Sequence, residues 1–302
     1  MVLDAELKYL VALFEDKDEV VTEAVNKRIL DKGPDVLGSI KYLARQESNI
    51  TKKNIIYSRL EFFRAVFRLS DIEEFSMDEL ERHSNFFRGF SLINALLDPN
   101  FSQRKFTFHL TNLLAAFFYE FDSQERMKKK TAIENVEIFN YIFFDSQGMS
   151  ICDAMMTDEK CGLLNFVISE SRHRGNPIAI ATIYLFIATE VGLNFKLLCF
   201  PGGFVPAYVE DGKVIFYVNI FNDGTIFFES QLMSILEQQG VEIKGRDDFR
   251  MCELDALYSI YLESMLYIYS NKNVLSKSLM IERALECFGS DRYLTIDMDD
   301  DE

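Results

Sequence analysis

Residues 175–224, GNPIAIATIYLFIATEVGLNFKLLCFPGGFVPAYVEDGKVIFYVNIFNDG, decide the fold. Pro177 stands where the first turn of a helix accepts proline, and apolar residues then recur at helical spacing as far as Ala188. Gly192 supplies a C-terminal stop. Because the pattern carries almost no charge, it predicts a short buried helix.

Strand-like runs follow this helix at residues 195–200, 204–209 and 214–219. The Asp-Gly pair at 211–212 predicts a two-residue hairpin turn between the last two runs, with Val209 opposite Val214. A further run at 225–228 follows the turn at 222–224. The local pattern therefore predicts a buried helix that leads into a small antiparallel sheet.

The rest of the chain is predicted to be helical. Residues 1–48 form short helices broken by an acidic turn and by Gly33-Pro34, a pattern that resembles one HEAT-type repeat. Residues 52–149 contain amphipathic runs typical of a helical layer. Helices are also predicted at 231–239, 249–270 and 275–288, and the last two resemble a TPR unit. The fold class is thus α+β, with a mostly helical front half and a C-terminal helical pair.

Composition excludes several classes of function. The 302 residues contain 32 Lys and Arg against 48 Asp and Glu, a net charge of −16 that repels nucleic acid. The uncharged stretches are shorter than the roughly 20 residues of a membrane helix, and the first residues lack the pattern of an export signal. Five cysteines without close pairing favour reduced thiols in a cytoplasmic protein. We expect no nucleic-acid partner, no membrane association, and no metal or cofactor.

Short motifs of the core occur in the same order as in a known superfamily. They are LNFVI at 164–168, GNPI at 175–178, FPGGF at 200–204 and YVNIFNDG at 217–224. These motifs resemble, in turn, the helix before the core, the G-x-P-I helix start, the PGHF motif and the "iDPFn-G" motif of the transglutaminase-like superfamily, in its SirB-type bacterial branch. The resemblance implies a papain-like core behind a helical front half.

The resemblance also implies where a catalytic site would lie. A transglutaminase uses a thiolate at a helix start, a histidine on a neighbouring strand, and an aspartate that orients the histidine. In this chain Asn176 and Pro177 stand at the thiol position, Gly203 at the histidine position and Asn219 at the aspartate position. The hairpin register, continued backwards, brings Gly203 within one residue of facing Asn219. We therefore expect these four residues to line a groove that keeps the outline of a triad without its chemistry.

Two other interpretations remain open. Cys199 and His173 could form a relocated pair in a cysteine-dependent acyl transferase or amidohydrolase. Alternatively, side chains could fill the groove, so that it would have only a structural role.

The patterns and the resemblance together predict three regions. They are a HEAT-like helical segment at 1–48, a transglutaminase-like domain with a helical N-terminal half at 52–240, and TPR-like helices with an acidic tail at 241–302. Helical repeats of these two types commonly bind peptides or proteins. We therefore predict a non-catalytic cytoplasmic scaffold that binds a protein or peptide partner.

Overall fold

The computed structural model describes residues 5–121, 127–152, 158–169, 173–238, 241, 245, 248–289, 291, 293 and 294. The predicted acidic tail lies outside these residues. The chain divides into two compact units, residues 1–74 and 75–302.

The first unit is helical. Its helices are α1 (Ala5–Ala12), α2 (Glu19–Leu30), α3 (Val36–Gln46) and the first part of α4 (Ile50–Met77). Asp18 begins α2 by accepting the N–H of Val20 at 2.8 Å. The apolar faces meet in one core that includes Ile29, Ile40 and Phe63. Because Phe63 belongs to α4, this unit continues past the HEAT-like segment 1–48; the HEAT-like assignment and the three regional limits stay predictions.

The second unit combines many helices with a sheet. Its helices are α5 (Glu79–Ser84), α6 (Phe86–Leu97), α7 (Gln103–Phe121), α8 (Ala132–Asn140), α9 (Glu159–Gly162), α10 (Leu164–Val167), α11 (Pro177–Glu190), α12 (Glu229–Gln238), α13 (Ala256–Asn271) and α14 (Leu275–Cys287). A π-helical turn, Tyr141–Ser146, continues α8. The mostly helical front half and the C-terminal helical pair are confirmed.

The sheet runs antiparallel through five strands. Two short strands, β1 (Ser150–Ile151) and β2 (Arg174–Gly175), pair in parallel apart from it. The sheet contains β3 (Phe195–Phe200), β4 (Gly203–Glu210), β5 (Lys213–Asn219), β6 (Thr225–Phe227) and β7 (Arg250–Cys252), in the order β6-β5-β4-β3-β7. This arrangement confirms the α+β fold. Strand β7 is a difference from the prediction, which placed these three residues in a helix.

Helix α11 is the centre of the second unit. Every residue from Ile178 to Ala188 is buried. The Oδ1 atom of Asn176 caps the helix by accepting the N–H of Ala179 at 2.7 Å. At the other end, the N–H of Leu193 bonds to the carbonyl oxygen of Ala188 at 2.8 Å, after Gly192 has turned the chain with a φ of 83°. Burial of each large apolar side chain contributes about 1.5–3 kcal/mol, so α11 is held by packing on all sides.

The hairpin of β4 and β5 contains a β-bulge. It begins in the predicted register, with Val209 opposite Val214. The register then shifts, and Ala207 faces Tyr217. An extra residue on one strand increases local twist and ends regular pairing early. The pairing of β4 with β5 stops at Ala207, while β4 stays paired with β3 as far as Gly203.

Candidate functional site

The start of α11 carries no nucleophile. Asn176 is fully buried, and its main-chain N–H donates to the carbonyl oxygen of Cys161 at 2.7 Å. Its side-chain oxygen caps the helix, and Pro177 occupies the first turn. Both residues at the expected thiol position therefore serve to begin the helix, and neither has an atom that could attack a carbonyl carbon.

The two strand positions are further apart in register than expected. Continued to the strand ends, the observed register would put Asn219 opposite Val205, two residues from Gly203. The prediction that Gly203 lies within one residue of facing Asn219 is therefore wrong, because the bulge was not anticipated. Gly203 pairs with Phe200 across the β3–β4 turn, where an added Cβ would lie 3.2 Å from the Phe200 ring. Any larger residue at position 203 would require that ring to shift.

Asn219 has a structural task at the end of β5. Its Oδ1 atom accepts the N–H of Phe221 at 3.1 Å, and this bond begins the 3₁₀ turn Ile220–Asn222. An amide carries no charge with which to stabilise an imidazolium ion. The side chain at the aspartate position thus shapes the chain that follows it.

A pocket opens where β4 and β5 separate, over the start of α11. Its empty volume is about 400 Å³, part of which is open to solvent. Among the predicted groove positions, Pro177 and Asn219 belong to the described lining residues, whereas Asn176 and Gly203 do not. The remaining described lining residues are apolar, including Phe204, Pro206 and Phe221. Asn219 therefore supplies the polar side chain of an otherwise apolar wall.

A hydrogen-bonded chain holds the outer wall of this pocket. The Nδ2 atom of Asn140 donates to the carbonyl oxygen of Gly224 at 2.6 Å, and the Tyr184 hydroxyl donates to Oδ1 of Asn140 at 2.7 Å. Burial raises the pKa of Tyr184 well above its ordinary value, so the hydroxyl keeps its proton and remains a donor. The end of α8 and the middle of α11 therefore fix the turn that follows Asn219.

The alternative pair, Cys199 and His173, occupies different surroundings. Cys199 is buried in β3, where the neighbouring thiol of Cys252 and burial raise the pKa of Cys199. His173 precedes β2, and its Nδ1 atom lies 3.1 Å from the carbonyl oxygen of Val167. Because a nucleophilic cysteine needs a lowered pKa, the direction of the shift at Cys199 opposes a catalytic role.

A second pocket lies among α6, α7, α10 and α11. Phenylalanine rings form much of its wall, including Phe86, Phe87 and Phe106. Thr182 also lines it, but the Thr182 hydroxyl donates to the carbonyl oxygen of Ile178 at 2.7 Å. The described wall therefore offers no free polar group with which to orient a ligand.

Neither a membrane-spanning helix nor a metal-binding cluster is present in the described part of the chain. Within it, helices are either too short or too polar to cross a bilayer. No group of three or more His, Cys, Asp or Glu side chains in those same ranges is placed to hold a metal ion.

One comparison with known proteins finds a match, and it lies in the second unit. A family model described as "Transglutaminase-like superfamily" matches residues 109–257. These residues contain α11 and the whole five-stranded sheet, so this part of the chain is a transglutaminase-like domain. The match confirms the superfamily resemblance. No curated protein and no solved structure matches the chain.

Sequence reasoning missed two residues of this region. Asn140 is a polar residue inside the helical layer predicted over residues 52–149, and its bond to Gly224 joins positions far apart in the chain. Cys252 belongs to a three-residue strand that is too short to show alternation. The Gly after Asp223 was the one local signal of a constrained turn.

Proposed function

We propose that this protein is a non-catalytic member of the SirB-type branch of the superfamily, and that it works in the cytoplasm as a scaffold that binds a protein or peptide. The observation that carries the proposal is the apolar pocket at the start of α11, which Pro177 and Asn219 help to line. The resemblance implies a thiol and a carboxylate at these two positions. The outline of a cleft is present, and its wall suits an apolar side chain.

The loss of chemistry follows from the tasks of the residues at the triad positions. Acyl transfer by a cysteine requires a nucleophile, a base that removes its proton, and a group that orients the base. Pro177 has no reactive atom, Gly203 has no side chain, and the oxygen of Asn219 accepts a main-chain N–H. The positions that would perform the reaction instead shape the backbone.

The binding role follows from the pocket wall. Phe221 lines the pocket and is 56% exposed, so it offers a large apolar face at the rim. Burial of one Leu or Phe side chain from a partner would contribute about 1.5–3 kcal/mol. Several neighbouring contacts are needed for useful affinity, which favours an extended peptide segment over a single small molecule.

Peptide selection with two matched variants tests the binding role. A random displayed peptide library is selected on the full-length protein, and the enriched peptides are synthesised and measured by fluorescence anisotropy. Phe221→Asp puts a charge at the pocket rim and should weaken binding by at least about tenfold, because a buried charge without a partner is unfavourable. Phe108→Asp alters another exposed phenylalanine, outside the described pocket wall, and should leave the affinity unchanged. Equal affinity of both variants would refute the proposed site.

A separate assay tests the absence of catalysis. Incorporation of a labelled amine into a glutamine-containing protein, and hydrolysis of model amides and thioesters, should not exceed the rate without protein. Turnover that is abolished by Cys199→Ala would overturn the proposal and support the relocated Cys199 and His173 pair. The raised pKa of Cys199 makes that second function the weaker candidate.

A further inference from the structure

Two cysteines lie side by side at one edge of the sheet. Cys199 belongs to β3 and Cys252 to the edge strand β7. In the observed pairing Cys252 faces Leu197, and Cys199 faces Arg250. Residues two apart in a strand share a face, so the two thiols are diagonal neighbours on the same side of the sheet. Both side chains are buried, and the Sγ atom of Cys252 donates to the carbonyl oxygen of Arg250 at 3.7 Å.

The surroundings shift the pKa of the two thiols in opposite directions. The neighbouring thiol of Cys199 and the guanidinium of Arg250 lower the pKa of Cys252 against the opposing effect of burial. The neighbouring thiol of Cys252 and burial raise the pKa of Cys199. Cys252 is therefore the first of the two to lose its proton.

The end of the described chain lies close to this pair. Arg250 forms an ion pair with Asp291 at 2.5 Å. The buried carboxylate of Glu263 accepts the N–H of Tyr293 at 3.0 Å and that of Leu294 at 2.6 Å. Burial and the neighbouring Cys252 raise the pKa of Tyr293 to about 12. The pair therefore lies beside the end of the described chain and at the edge strand of the sheet.

We propose that Cys199 and Cys252 are a redox-active dithiol, which a hydroperoxide converts into a disulfide that links β3 to β7. The Cys252 thiolate attacks the peroxide, breaks the O–O bond and becomes a sulfenic acid, while the departing oxygen takes up a proton as water or an alcohol. The Cys199 thiolate, formed as its proton leaves, attacks the sulfenic sulfur, and the second oxygen departs as water. Two thiols are thus oxidised and one peroxide is reduced.

The disulfide would close a loop that contains most of the pocket wall. The segment between the two cysteines includes β4, β5, β6 and α12. Phe204, Asn219 and Phe221 all belong to it. Oxidation therefore ties together the two ends of the segment that shapes the pocket, and reduction releases them. The dithiol does not depend on the proposed binding function.

Peptide mapping of the oxidised protein tests the proposal. The reduced full-length chain is treated with hydrogen peroxide, remaining thiols are blocked with N-ethylmaleimide, and a non-reducing digest is analysed by mass spectrometry. We expect a peptide that links Cys199 to Cys252 and disappears after treatment with dithiothreitol. Cys287, which is partly exposed, reports that the oxidant has acted.

Single substitutions establish the order of the two steps. In Cys199→Ser the linked peptide should be lost, and Cys252 should be trapped as a sulfenic acid by dimedone. In Cys252→Ser the linked peptide should be lost and Cys199 should stay a thiol. Cys152→Ser, at another buried cysteine, should keep the link. The peptide map of the oxidised wild-type protein tests the proposal even if a variant fails to fold. The proposal is overturned if Cys287 is oxidised while Cys199 and Cys252 are both recovered as thiols.

Discussion

Replacement of Gly224 by alanine probes the contact that fixes the outer wall of the pocket. Gly224 has a φ of 74°, in the left-handed region that favours glycine. A Cβ at this position would lie 2.5 Å from Cγ of Asn140, too close for any real contact. Gly212 is the matched control, because its φ is 75° and a Cβ there would meet nothing within 4 Å.

The difference between the two variants can be worked out from these contacts. An alanine in the left-handed region costs about 1–2 kcal/mol, and both variants bear this cost. In Gly224→Ala the Asn140 carboxamide must also move, which breaks its bonds to Gly224 and Tyr184. Each buried polar group left without a partner costs about 1–3 kcal/mol. We expect a loss of about 1–2 kcal/mol for Gly212→Ala and, with partial relaxation, about 3–5 kcal/mol for Gly224→Ala.

Urea unfolding measures both losses. Because the chain has no tryptophan, near-ultraviolet circular dichroism of its 13 tyrosines is the suitable signal for tertiary structure. The double variant Asn140→Ala/Gly224→Ala removes the obstructing carboxamide. Its loss of unfolding free energy should therefore be no larger than the sum of the losses in the two single variants. Equal destabilisation by Gly224→Ala and Gly212→Ala would show that Asn140 moves aside freely, and the reasoning about the anchored turn would be refuted.

Three other predictions concern α11 and its neighbours. Asn176→Ala removes the cap on α11 and should lower the free energy of unfolding by about 1 kcal/mol, measured by the same urea titration. Tyr261→Phe removes a buried hydroxyl that donates to the carbonyl oxygen of Gly162 at 2.9 Å, and leaving that acceptor unpaired should cost about 1–3 kcal/mol in the same assay. Burial raises the pKa of several tyrosines, which therefore stabilise the folded protein below about pH 10, where tyrosines of the unfolded chain begin to ionise. Those without exposed surface are Tyr184, Tyr258, Tyr261 and Tyr269. The free energy of unfolding should fall as the pH rises above about 10. Ionisation of the buried tyrosines, seen as a late rise in absorbance at 295 nm, should coincide with loss of the helical circular dichroism signal. A free energy of unfolding that is unchanged up to about pH 12 would contradict this prediction.

The local elements of the core could be predicted because proline and glycine residues mark their boundaries. Pro177 and Gly192 mark the two ends of α11, and Pro201-Gly202 and Asp211-Gly212 mark the turns of the sheet. At these positions backbone sterics decide the conformation, and no distant contact is needed.

The register of β4 and β5 could not be predicted, for a physical reason. Residues 204–209 are nearly all apolar, since both faces of the strand are covered, and such a strand lacks the alternation that fixes register. The bulge between Tyr208 and Val209 therefore left no local signal. It also moved Gly203 away from Asn219 and limited the part of the site that the sequence could place.

The residues that neighbour Cys199 could not be predicted from the sequence, for a different reason. Cys252 reaches Cys199 only because β7 adds to the far edge of the sheet. A contact between distant positions is set by the topology of the whole domain. A strand of three residues is too short to show the alternation of apolar and polar residues by which a strand is predicted. The sequence placed Cys199 correctly on its strand and gave no sign that Cys252 lies beside it.

The burial of α11 has a consequence for how the protein is made. The helix packs against α13, which is synthesised well after it, so part of its apolar surface stays uncovered while the intervening sheet leaves the ribosome. Domains fold during synthesis from the N-terminus, and exposed apolar surface at that stage promotes aggregation. A chain that stalls or ends before α13 would present α11 to other proteins in the cell. Chaperones that bind apolar segments are therefore expected to contact the nascent chain at α11.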